Sequence, residues 1–202
     1  MKKVQDYYFK KAKQENYPAR SVYKLEETQQ KYAILKRGDK VLDLGCHPGS
    51  WSLYAARVIG PQGLVYGADL QKGGTLAVPG GARIEVVCAD ICDEQFLSAL
   101  APHVPFHVVL SDLAPRTTGH KFSDHLKSVE LSRRALYIAA RVLRPGGTLY
   151  CKIFQGEDFP GFVDEVREFF AQVKIIKPKS SRVESREVFV LGRGFQRAVD
   201  AP

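Results

Sequence analysis

Short apolar runs alternate with longer segments whose apolar positions recur every three or four residues. The runs at 40–44 (KVLDL), 64–69 (LVYGAD), 84–88, 106–112, 148–153 (TLYCKI), 173–176 and 187–192 (EVFVLG) predict seven strands. Between them, 50–59, 93–100, a long amphipathic stretch ending near residue 143, and 159–171 predict helices. Ser50 is placed to cap the first of these, and the acids Asp93 and Glu94 suit the positive end of the second. Arg144-Pro145-Gly146-Gly147 breaks the long helix and leads into a strand. Two loops stand out: 113–123, and 71–82, whose four glycines and one proline predict a mobile connection. Ahead of the first strand, 6–16 and 20–35 read as polar helices separated by Tyr17-Pro18. The second carries an apolar stripe of Val22, Tyr23, Leu25, Tyr32, Ile34 and Leu35. Near-continuous apolar strands alternating with helices predict an α/β fold, a mostly parallel seven-stranded sheet with helices on both faces. There are no internal repeats, and one domain over 1–202, with 1–36 as a basic helical extension, accounts for the whole pattern.

Composition narrows the class. A chain of 202 residues with 45% hydrophobic and 26% charged residues is that of a soluble globular protein. No run of about 18 apolar residues occurs, so no membrane span is predicted. The basic start MKKVQDYYFKKAKQ is followed by no apolar stretch, which is not a secretory signal, and a cytoplasmic address is expected. Cys46, Cys88, Cys92 and Cys151 lie in or beside apolar segments without paired spacing, which predicts buried free thiols. The Cys88-x3-Cys92 pair and the Cys46-His47 step raise a zinc reading, but structural zinc sites favour two tight ligand pairs, so no metal is expected.

The net charge of +8 is unevenly placed: residues 1–40 hold 11 basic and 5 acidic side chains, 41–120 hold 4 and 7, and 121–202 hold 15 and 10. Basic flanks around a mildly acidic middle fit a nucleic-acid partner, although a solvated basic face would look the same.

The candidate chemistry begins at VLDLGCHPGSW, a strand-to-helix turn where backbone N–H groups can meet a ligand. Its glycines, Gly45 and Gly49, lack the G-x-G-x-x-G spacing of a dinucleotide loop, which disfavours NAD. Asp69 closes the second strand and Asp90 follows the third. Taken singly, these are turn glycines and capping carboxylates. Four further charges sit in or beside apolar frames: Lys24 in SVYKL, Asp112 in VVLSDLAP, Lys152 in LYCKIF and Glu187 in SREVFV. A lysine inside LYCKIF is costly to bury without a purpose. Lys24 alone would read as a solvated lysine, and Glu187 as a partner of Arg186 or Arg182.

Together, in this order along about residues 7–195, these segments resemble the FtsJ (RrmJ) family of RNA ribose 2′-O-methyltransferases. The resemblance implies a class I, Rossmann-like methyltransferase fold and S-adenosyl-L-methionine as cofactor. It implies that Asp43, Gly45, Pro48, Gly49, Trp51, Asp69, Asp90 and Asp112 bind that cofactor, Asp69 at the ribose hydroxyls and Asp90 at the adenine amino group. It also implies that Lys24, Asp112, Lys152 and Glu187 are catalytic, with Lys152 the general base. A 2′-hydroxyl is a poor nucleophile, and a lysine can take its proton where burial or a second cation disfavours the charged form.

One departure is the Cys46-His47 pair, where the family commonly has small residues; His47 is expected at the loop surface. Arg20, with Lys10, Lys11 and Lys13 and further Lys2 and Lys3, is the implied RNA contact of the N-terminal helix. Lys179 and Arg182 belong to a second basic stretch, 174–197, with seven basic and two acidic residues. Tyr7, Tyr8 and Phe9 suit either base stacking or packing of the helix. The expected substrate is a uridine in large-subunit ribosomal RNA, with no obligate protein partner. A transfer RNA methyltransferase and a non-catalytic ribosome-assembly protein that keeps the fold are the alternatives; a small-molecule methyltransferase would not need basic flanks.

Overall fold

Parity along each strand decides which side of the sheet a residue serves, because successive side chains point to opposite faces. The computed structural model describes residues 2–115, 119–182 and 184–196. Two helices come first, α1 (Lys2–Gln14) and α2 (Val22–Tyr32). Then follow β1 (Lys40–Leu44), α3 (Ser50–Ile59), β2 (Leu64–Asp69), β3 (Arg83–Cys88) and α4 (Gln95–Leu100). The remainder is β4 (Phe106–Ser111), α5 (Lys121–Val142), β5 (Leu143–Phe154), α6 (Phe159–Phe169), β6 (Phe170–Ile176) and β7 (Glu187–Phe195). The strands form one sheet in the order β3-β2-β1-β4-β5-β7-β6. β1, β2, β3, β4 and β5 pair in parallel, and β7 runs antiparallel between β5 and β6.

Two apolar layers cover the sheet. Val41, Val65, Val108, Leu110, Tyr150, Phe189 and Leu191 face helices α1, α2 and α3. Their neighbours of opposite parity, among them Leu42, Val109, Leu149, Cys151, Ile153 and Val190, face α4, α5 and α6. The parallel, doubly covered sheet expected from the sequence is therefore present, and the first two helices pack on the same core as α3.

Boundaries differ where a local contact overrides the pattern. Helix α2 stops at Tyr32 because Ala33 turns left-handed (φ 49°) and its N–H returns to the Gln29 carbonyl. The Gln29 side chain then brackets Leu35 with hydrogen bonds of 2.8 and 2.9 Å, holding 34–35 outside the helix. Asp93 does not enter α4; its Oδ1 accepts from the Gln95 N–H at 2.8 Å, an Asx turn ahead of the helix. Strand β5 begins at Leu143 rather than Thr148, since Leu143 pairs with Phe106 across a bulge that absorbs the Arg-Pro-Gly-Gly segment. Part of the expected 113–123 loop, residues 116–118, lies outside the described residues.

The thiols need a correction. All four cysteines are free, but only Cys46 and Cys151 are buried; Cys88 and Cys92 are exposed. They follow or close β3, which is an edge strand with one neighbour and so is less covered than the central strands.

Candidate active site

Lys152 and Glu187 on strands, and Asp112 one residue past β4, which ends at Ser111 rather than at 112, share the parity of the face turned toward α2. Asp112 continues Val108 and Leu110, Lys152 follows Tyr150, and Glu187 precedes Phe189 and Leu191. β7 is antiparallel and Glu187 pairs with Phe154, so the start of β7 lies at the same sheet edge as the end of β5. Lys24 reaches these groups from α2, one turn before Thr28. Tyr150 ties that turn to the sheet: its hydroxyl donates to the Lys24 carbonyl at 3.2 Å and accepts from Thr28 Oγ1 at 2.8 Å.

The four charges form a continuous chain. Lys152 Nζ lies 2.9 Å from Asp112 Oδ1, Lys24 Nζ lies 4.0 Å from the same oxygen, and Lys24 Nζ donates to Glu187 Oε2 at 2.8 Å. The contact at Asp112 Oδ1 is a charge contact rather than a well-aligned hydrogen bond. Lys152 is 5% exposed and also donates to the Asp112 carbonyl at 2.6 Å, while its own carbonyl accepts from Ser132 Oγ at 2.9 Å. Nζ thus makes one hydrogen bond and one charge contact, both to Asp112.

Residues that sequence reasoning missed hold the far end. Ser181 Oγ donates to Glu187 Oε1 at 3.0 Å, and Lys177 Nζ donates to the Glu187 carbonyl at 2.7 Å and to the Ser185 carbonyl. Glu27 of α2 accepts from the N–H groups of Lys179 and Ser180 at 2.7 and 2.9 Å, which fastens the 177–186 loop over the site. A serine pair inside a basic stretch gives no local sign of this; only the nearby Glu187 hinted that a donor was needed.

The cofactor-loop residues line the neighbouring sheet edge. Asp43 is fully buried; its Oδ2 accepts from Ser52 Oγ at 2.6 Å and its Oδ1 has no partner. Burial pushes the Asp43 carboxyl up to about 7, with Ser52 opposing the shift and the Asp112 and Asp69 carboxylates adding to it. Gly45 (φ 76°) and Gly49 (φ 107°) adopt left-handed conformations, and the His47–Pro48 peptide is cis. A Cβ at Gly49 would lie 2.5 Å from Leu76, because the 71–82 loop seats that side chain on the turn. The gap left between the turn and the loop is about 10 Å³. Asp69 bridges the two lips: Oδ2 accepts from the His47 N–H at 3.0 Å and Oδ1 from Gln71 at 2.8 Å. His47 itself is exposed, as expected. Asp90 is exposed past β3, with Oδ1 accepting from the Cys92 N–H at 2.8 Å.

Trp51 is placed differently. It is 3% exposed, stacks on Tyr150 at 5.5 Å, and donates its indole N–H to the Ser21 carbonyl at 2.9 Å. Its side chain holds α3 against the start of α2. Of the basic residues singled out, Lys10, Lys13, Lys179 and Arg182 are exposed and Arg20 is half-buried. Lys11 is engaged within the protein, 3.4 Å from Glu26 and 3.7 Å from Glu15. The side chains of Lys2 and Lys3, and Arg197, lie outside the described residues. Among the described residues, no three His, Cys, Asp or Glu side chains converge as a metal site would require.

A profile of FtsJ-like methyltransferases matches residues 17–195. The chain belongs to the FtsJ-like methyltransferase family. It is 52% identical over 202 residues to the ribosomal RNA large subunit methyltransferase E of Desulfotalea psychrophila, covering 98% of each chain. The protein of the same name from Oleidesulfovibrio alaskensis is 50% identical over 198 residues, covering 97% of this chain and 94% of that one. A solved structure described as a candidate ribosomal RNA methyltransferase of Plasmodium falciparum superposes with a TM-score of 0.74 at 25% identity, over 89% of this chain and 98% of that one. The chain is a methyltransferase of this family, with a methyl donor as co-substrate.

The carboxyl-end row has a simple logic. In sheet order it reads Asp90, Asp69, Asp43 with Gly45, Asp112, Lys152 and Glu187. β1 and β4 are adjacent although α3, β2, β3 and α4 separate them in the chain, and such a switch point opens a crevice for a ligand. An orphaned buried oxygen on Asp43 and a glycine turn beside it fit a ligand with cationic and polar groups, as S-adenosylmethionine has.

Proposed function

We propose that this chain transfers a methyl group from S-adenosyl-L-methionine to a ribose 2′-hydroxyl, that of a uridine in ribosomal RNA of the large subunit, with Lys152 as general base. The observation that carries the reading is the unbroken chain Lys152–Asp112–Lys24–Glu187 beside the Asp43–Gly49 turn. The names of the relatives support the choice of RNA.

Bound at the Asp43, Gly45, Gly49 and Asp69 edge, S-adenosylmethionine would supply a methyl group activated by a positively charged sulfur. The chain's own residues do the rest. Lys152 takes the hydroxyl proton as the ribose oxygen gains its methyl group. Asp112 holds the lysine through two contacts, so its open position faces the acceptor. Lys24, anchored by Glu187, balances the charge of Asp112 and lies where it can steer the ribose. Arg20, Lys10, Lys13, Lys179 and Arg182 bind phosphates, and residues 1–36 serve as the RNA-facing part of one methyltransferase unit spanning 1–202. No helix among the described residues is long and apolar enough to cross a membrane, and we place the reaction in the cytoplasm.

The test is transfer of labelled methyl groups to large ribosomal subunits, naked ribosomal RNA and transfer RNA from cells lacking this protein. Label in large-subunit RNA, at one alkali-resistant ribose linkage, is the expected result. Label confined to transfer RNA would retain the chemistry and replace the substrate. No label anywhere would sink the reading.

A further inference from the structure

A cleft of about 590 Å³ opens on the outer side of α2, between α1 and residues 176–179. Its size falls in the range of about 300–1,000 Å³ typical of ligand sites. Of its lining, the function proposed above gives only Lys179 a contact to RNA, and its aromatic walls have none.

Its walls are aromatic and cationic. Tyr7 is 60% exposed and meets Tyr8 edge-on at 5.3 Å; Tyr8 in turn leans on buried Tyr23 at 5.3 Å. A tyrosine serving only to fasten α1 would be covered, as Tyr23 is. Across the cleft, Tyr32 has two ammonium groups near its ring, Lys31 at 5.3 Å and Lys174 at 5.2 Å. Two carboxylates also line the cleft, but both are already bonded, Glu26 to Lys11 and Glu27 to the backbone at 179 and 180. Lys31 and Lys179 remain exposed at its rim. Tyrosine rings with exposed lysines near them suit unstacked bases and their phosphates.

The cleft also borders the catalytic chain. Lys177 lines it and donates to the Glu187 carbonyl at 2.7 Å; Thr28 lines it and reaches Tyr150.

We propose that this cleft is a second RNA subsite, which receives an unpaired nucleobase on Tyr7 and Tyr32, with adjoining phosphates on Lys31 and Lys179, from the strand whose ribose is methylated. The assignment rests on the RNA reading above, and it sets which RNAs are accepted: those with an unpaired nucleotide near the target.

The probe is a transcript of large-subunit ribosomal RNA carrying 4-thiouridine, photocrosslinked to the full chain, together with RNA binding, methyl transfer and cofactor binding by Tyr7→Ala/Tyr32→Ala and Tyr7→Phe/Tyr32→Phe. Crosslinks at Tyr7, Tyr8 or Tyr32 are expected. The double alanine variant should bind RNA roughly 5- to 100-fold more weakly, the range for losing a stacked base. Its turnover at saturating RNA and its cofactor affinity should stay near wild type, and the phenylalanine variant should keep RNA affinity. Crosslinks elsewhere, with unchanged affinity in the alanine variant, would overturn the subsite and leave the proposed function standing. If the wild-type chain methylates no RNA, the function falls, while the crosslink map still decides the cleft. A defect seen only on assembled subunits, with naked-RNA binding intact, would assign the cleft to a ribosomal protein and overturn the proposal.

Discussion

In the function proposed above Lys152 takes the hydroxyl proton, and its surroundings make the prediction sharp. It is nearly buried, held by both the carboxylate and the carbonyl of Asp112, and it sits within the apolar run Leu149–Phe154 near the end of β5. Lys152→Ala removes a proton acceptor without touching the Asp43–Gly49 turn. Turnover should fall at least about 100-fold, the lower range for a lost general base. Cofactor affinity, measured by calorimetry, should remain near wild type; retained turnover would remove Lys152 from that role. Asp43 gives a second test, through pH. With its carboxyl pushed up to about 7 by burial, the folded chain keeps this proton while the unfolded chain loses it near the ordinary value of 3.8. Ligand-free stability should therefore decline as pH rises from about 4 to about 7, then level off. A cationic cofactor favours the ionised carboxylate, so its affinity should tighten as pH rises through about 7. Asp43→Asn should flatten both profiles, and an unchanged pH dependence in that variant would show that another group titrates.

At the scale of elements, the site depends on a loop that carries no catalytic group. Residues 177–186 present Ser181 to Glu187 and are fastened to α2 by Glu27. Glu27→Ala should free the amides of Lys179 and Ser180, visible as lost hydrogen-exchange protection, and lower turnover by roughly tenfold, about one charge-assisted hydrogen bond. Full protection at 179 and 180 in that variant would show that the loop is held by other means. The strands were legible because their apolar runs are long and their parity is regular: Val108, Leu110 and Asp112, or Tyr150 and Lys152, fall on one face by period alone. The same parity puts both charges on the side of the sheet that α2 covers. The clamp was not legible, since Glu27 and Ser180 are 153 positions apart and each looks like an ordinary surface residue. The packing of the Trp51 side chain was hidden for a related reason. Its place in the loop motif pointed to the ligand, whereas its indole packs between elements distant in sequence. The antiparallel insertion of β7 between β5 and β6 likewise has no local signature, yet it is what returns Glu187 to the edge where Lys152 ends.

For the whole molecule, the two positive ends of the chain converge around the site that the mildly acidic middle builds. α1 and α2 come from the first, and the 177–186 loop from the last, and they meet through Glu27. The exposed Lys10, Lys13 and Lys179 thereby lie on elements that border the side from which RNA would reach Lys152. Binding through such a surface releases counterions, so the logarithm of RNA affinity should fall linearly with the logarithm of salt concentration. Each phosphate contact contributes about 0.7 to that slope on a single strand. Lys10→Glu and Lys13→Glu, both exposed and without a role in the catalytic chain, should each lower the slope by about that amount while leaving cofactor affinity unaltered. Lys11→Glu should instead cost mainly stability, because Lys11 is already paired with Glu26 and lies 4.3 Å over the Tyr23 ring. Fluorescence titrations across a salt series, run beside thermal melts, separate the two behaviours. A slope that is identical in all three variants would mean that RNA approaches along another face, and that α1 serves the fold rather than the substrate.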